Sequence, residues 1–77
     1  MNTTPAPVRP LRDPRRIPKI GDTVRVDDDT RQVDCITVDG MGFVHVGWAR
    51  SASSWGWMRL ESWKRWAKKG DVLHAAD

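Results

Sequence analysis

The sequence predicts a mainly β domain: a small, strongly bent barrel of four to five strands with a short C-terminal helix. Three observations lead there. All five prolines precede residue 19, a density that sustains neither a helix nor a central strand, so residues 1–19 are expected to form a disordered, Pro/Arg-rich arm. From residue 20 the apolar pattern has period two. After residue 60 it changes to helical spacing. A chain of 77 residues has room for one domain, at 20–77. Cys35 is its only cysteine, so no internal disulfide can staple it. Closure of a short sheet on itself would remove the exposed edges that four or five strands otherwise leave.

The elements follow in order. Val24 and Val26 in Thr23-Val24-Arg25-Val26 share one face of a first strand. Asp27-Asp28-Asp29-Thr30 reads as a polar turn. The β-branched run Val33 to Val38 holds both Val33/Cys35 and Ile36/Val38, a phase slip that implies a bulge or burial on both faces. Asp39-Gly40 signals a tight hairpin. Val44, Val46 and Trp48 then point inward, with Phe43, His45 and Gly47 opposite. Ser51-Ala52-Ser53-Ser54 forms a loop, and Trp55 to Leu60 a fourth strand. Leu60, Trp63, Trp66 and Ala67 fall on one helical face, and Gly70 would end the helix as a C′ residue. Val72 and Leu73 close with a short strand or pack down.

This order resembles the SH3-like barrels, including the Tudor and KOW groups. The residues that carry the likeness are Gly21-Asp22-Thr23-Val24-Arg25-Val26, Gly42-Phe43-Val44-His45-Val46-Gly47-Trp48 and Met58-Arg59-Leu60-Glu61. The resemblance implies the barrel and leaves function open. The opening Gly21 to Arg25 is also similar to that of the type B plasmid dihydrofolate reductases, which build a pore from four such barrels. Their pore-lining Val-Gln-Ile-Tyr segment has no counterpart here, where Trp55-Gly56-Trp57-Met58 stands near that place, so no active site carries over.

Five tryptophans and no tyrosine are the strongest functional signal. Indoles are large and carry an N–H that needs a partner, so a small core seldom hides five. Trp63 and Trp66 share the helical face of Leu60 and are expected to pack. Trp55 and Trp57 share one strand face across Gly56; they either enter the core or make a flat platform that stacks bases, cradles a cation or grips a proline-rich peptide. Arg50 and Arg59 flank that pair, and Lys64, Arg65, Lys68 and Lys69 lie on the helix. These cations form either a solvated surface or a phosphate-binding one.

Charge is unevenly distributed. Residues 1–19 carry a net +4, residues 20–47 a net −4, and residues 48–77 a net +3. Basic ends of this kind guide anionic partners. No apolar run approaches the roughly 20 residues of a membrane span, the Pro- and Arg-rich start holds no secretory leader, and a cytoplasmic home is expected. Asp27, Asp28 and Asp29 lack the spaced donors of a calcium loop, and His45, His74 and Cys35 lack zinc spacing. No serine sits in a nucleophile elbow. The expectation is therefore a non-enzymatic module without metal or cofactor. It would bind nucleic acid, single-stranded or RNA, through a basic tryptophan-rich face. A protein-interaction module, such as a small inhibitor or adaptor of a phage or mobile element, is the alternative, and a homodimer a third use of the same surface.

Overall fold

The computed structural model describes residues 12–77. Five antiparallel strands, β1 (Thr23–Val26), β2 (Asp29–Val38), β3 (Val44–Ser51), β4 (Ser54–Arg59) and β5 (Asp71–His74), form one sheet in the order β4-β3-β2-β1-β5. The helix α1 (Leu60–Ala67) joins β4 to β5. The mainly β class and the helix match expectation, and the strands follow in the expected order, but β2 begins four residues early: Asp29 and Thr30, expected in a turn, pair with Val26 and Arg25. Closure does not occur: β4 and β5 are the two edges of an open sheet. The helix that links them packs on β1, β3 and β4, and β5 spends its four residues on β1 alone.

Period-two alternation sorts the side chains as the apolar pattern demands. Val24, Val33 and Val46 are buried on the inner face, where Trp63 and Ala67 of α1 meet them. Ile36, Trp48, Met58, Leu60 and Trp66 pack around this centre. The phase slip in β2 is a register shift between Val33 and Cys35, which inserts Asp34 and lets Val33 and Ile36 both face inward. The Asp39-Gly40 signal marks a longer hairpin than expected. Asp39 N–H donates to Phe43 O, Gly42 takes φ +88°, and the Asp39 carboxylate accepts from the N–H groups of Met41 and Phe43 at 2.8 and 3.0 Å.

Residues 12–19, assigned to the arm by their prolines, join the folded unit; residues 1–11 of that arm lie outside the described residues. Proline denies a strand its donor but leaves its carbonyl free. Pro14 is buried, and its carbonyl accepts the indole N–H of fully buried Trp63 at 3.0 Å. Asp22, also fully buried, binds Arg12 through both carboxylate oxygens and accepts the N–H groups of Lys19 and Ala76, each at 2.7 Å. Arg12 reaches on to the carbonyls of Ile17 and Ala76. One carboxylate thus joins the start of the unit to its end.

Gly70 stops the helix for a reason other than a left-handed conformation. It shows no positive φ; a Cβ there would stand 2.8 Å from Val26 Cγ2 and 2.9 Å from the Arg25 carbonyl. The chain turns where α1 leaves no room for a side chain against β1. Gly70→Ala should therefore lower stability by about 1–3 kcal/mol through overpacking. Arg12→Ala should cost about 3 kcal/mol by stranding a buried carboxylate. Urea unfolding of both variants, with Lys69→Ala as an exposed control, measures the difference.

Candidate binding surfaces

The five indoles separate into two groups on opposite faces of the sheet. Inside, Trp63 lies against Trp66 with ring centroids 5.1 Å apart. The Arg31 guanidinium is sandwiched between Trp48 and Trp66, 4.1 and 4.3 Å from their centroids. Arg50 approaches Trp48 from the rim at 4.9 Å. Asp29 supplies the countercharge, accepting from Arg50 Nε at 2.5 Å and from Arg31 Nη2 at 2.8 Å. The Arg50 hydrogen bonds, with help from Arg31, hold the Asp29 pKa down to about 2 against its partial burial. Trp48 Nε1 has no acceptor among the described residues.

Outside, Trp55 and Trp57 stand on β4 with 65% and 51% of their surfaces exposed. They oppose Ala49 and Gly47 of β3, so small residues lie beneath both rings. A Cβ on Gly47 would fall 3.1 Å from the six-membered ring of Trp57 and 3.1 Å from Asp34 Oδ1. The Trp57 ring therefore spreads across bare backbone, with the bulged Asp34 carboxylate at its side. Arg59 continues this face, opposite His45, and its guanidinium lies 4.7 Å from the exposed Phe43 ring. Asp39 Oδ2 meets His45 Nε2 at 2.9 Å, and this bond, with the two backbone donors of the hairpin, lowers the Asp39 pKa to about 2.

The structure divides the residues expected to act as one basic aromatic surface. Trp55, Trp57 and Arg59 share the outer face. Arg50 turns to the inner rim, bound to Asp29. Lys64 and Arg65 stand on α1, which covers the inner face, and Lys68 and Lys69 follow directly on its last turn. Sequence reading counted cations near tryptophans along the chain, whereas the strand alternation carries Trp57 and the helix to opposite sides. Two participants escaped that reading. Arg31 lies two residues before Val33, and the strand phase sets it inward between Trp48 and Trp66. Asp22 gave no signal beyond its position after Gly21.

A second concavity lies where residues 13–16 pass α1. Asp13, Arg15, Arg16, Lys64 and Lys68 line a cleft of about 320 Å³. The Asp13 carboxylate accepts from Arg15 Nε at 3.0 Å, and the same Arg15 donates to the Gly70 carbonyl at 3.3 Å. The side-chain and main-chain donors of Arg15 lower the Asp13 pKa. Among the described residues no helix is long and apolar enough to cross a membrane, and no three His, Cys, Asp or Glu side chains gather as metal ligands do. Neither the family models, nor the characterised proteins, nor the solved structures compared with this chain give a match.

Two outcomes follow. Acrylamide should quench the emission of Trp55 and Trp57 most, and quenching should fall in a Trp55→Phe, Trp57→Phe double variant to what the half-buried Trp48 and Trp66 allow, since Trp63 is sealed. Stability should also fall in acid. Asp22 feels burial opposing its charge, but the Arg12, Ala76 and Lys19 donors outweigh it and lower its pKa, as the donors to Asp29 do there. A depressed native pKa means that the unfolded chain binds more protons, so unfolding free energy should be flat above the ordinary value of 3.8 and decline as pH drops toward about 2. Asp29→Asn should flatten part of that decline in urea titrations at stepped pH.

Proposed function

We propose that this chain is a non-enzymatic binding module that engages a protein partner through the outer face of β3 and β4. The exposure of two neighbouring indoles, Trp55 and Trp57, on an edge strand is the observation that carries this reading. Tryptophan and arginine dominate the energetics of protein interfaces, and Arg59 completes the set. The edge favours an extended partner segment. Ser54 to Met58 contains neither charge nor proline, and among the described residues the strand's outward side has no neighbour in the sheet. Backbone hydrogen bonds at such an edge add a strand, while alternate side chains settle on the exposed rings.

Base stacking on the same face has less support. Its phosphates would find Arg59 nearby, the Asp34 carboxylate beside Trp57, and the helix cations on the other side of the sheet. The SH3-like likeness remains part of the proposal. It is supported by a helix inserted between the last two strands and by β1 lying beside β5.

The expected partner complex survives high salt and nuclease treatment, because its contacts are apolar. In a pull-down with the full chain as bait, Trp57→Ala should abolish retention of the partner identified with the wild type, while changing stability by about 1 kcal/mol or less. Retention by Trp57→Ala, or loss of the complex on nuclease treatment alone, would overturn the assignment.

A further inference from the structure

We propose that the cleft between residues 13–16 and α1 is a second site, which takes the phosphodiester backbone of a nucleic acid strand, separately from the tryptophan face. The described cations divide by use. Arg12, Arg15, Arg25, Arg31 and Arg50 each pair with an aspartate, Lys19 donates to the Asp77 main-chain carbonyl, and Arg59 lies on Phe43. Arg16, Lys64, Arg65, Lys68 and Lys69 have no carboxylate partner among the described residues, and residues 1–11 contain neither Asp nor Glu. All five stand on α1 or beside it.

The facing acids are few. Asp13, inside the cleft, is neutralised by Arg15. Glu61 is the single acid on α1. Asp71 lies toward Arg25 at 3.9 Å. Arg16, Lys64 and Lys68 therefore present unbalanced positive charge around one concavity. Lys64 and Lys68 are one helical turn apart, about 6 Å along the axis. With Arg16 across the cleft, they make a row suited to successive phosphates, whereas one small anion would call for donors converging on a point. The row is held in place by structure already described: Asp22 holds Arg12, Pro14 receives Trp63, and the chain between them must pass α1.

Fluorescence anisotropy of a short fluorescein-labelled oligothymidine with the full-length protein tests the site. Binding should appear at low salt and weaken as salt rises. Each phosphate neutralised on a single strand contributes a slope of about −0.7 in log K against log salt, so three contacts give about −2. Lys64→Gln with Lys68→Gln should weaken binding roughly tenfold at low salt and make the slope shallower by about 1.4. Arg16→Gln should act in the same direction, and Trp57→Ala should leave affinity unchanged. The urea midpoints of the charge variants should match wild type, since these side chains are exposed. No anisotropy change at low salt would overturn the proposal, as would an unaltered slope in the double variant. Competition by inorganic pyrophosphate at the oligonucleotide's own phosphate concentration would also overturn it, by identifying a small-anion site.

Discussion

The fold depends on a carboxylate sealed from water. Asp22 is fully buried, and a lone charge there would be prohibitive. Arg12 and the two main-chain donors from Lys19 and Ala76 make it tolerable. The cost of breaking any one of these bonds makes the arrangement specific as well as stable. The pair anchors the chain segment that puts the Pro14 carbonyl over the Trp63 indole, and Trp63 in turn holds α1 to the inner face of the sheet. Among the described residues five apolar side chains are fully enclosed, a small core for an independent domain. The Arg31 guanidinium between Trp48 and Trp66 extends that core with a cation that needs no cavity of its own.

The same alternation that builds the core dictates how the surface is divided. Inner positions collect Val24, Val33 and Val46 under α1; outer positions of β4 display Trp55, Trp57 and Arg59. Arg50 and the cations of the helix are thereby carried to the side opposite Trp55 and Trp57, while Arg59 stays beside them. The two surfaces proposed to bind thus lie on opposite sides of the sheet, and on that proposal occupancy of one would leave the other open.

Much of the fold was legible because it rests on local rules. Period two set the strand order though not the early start of β2, the slip at Val33–Val38 left a bulge as one of two readings and the bulge is what forms, and the spacing of Leu60, Trp63, Trp66 and Ala67 marked the helix. Long-range facts were not legible. Barrel closure follows from how β4 and β5 end relative to one another, which no local pattern encodes. Proline content correctly forbade regular structure in residues 12–18 but said nothing of docking, because docking uses the Pro14 carbonyl and the Arg12 side chain. The exposure of Trp55 and Trp57 depended on what lay across from them, and Ala49 and Gly47 were visible only once register was known.

That Trp57 rests on a glycine has a kinetic meaning. Its ring is supported from below by main chain and flanked by Asp34, so the orientation it offers to a visitor exists before any encounter. If the outer face binds as proposed, a ring braced on one side would lose less rotamer freedom on being covered, and the saving would appear as residence time, since affinity within related complexes is tuned mainly through dissociation. A side chain at position 47 would crowd that ring from beneath, and on the same proposal it would shorten the residence without touching what binds.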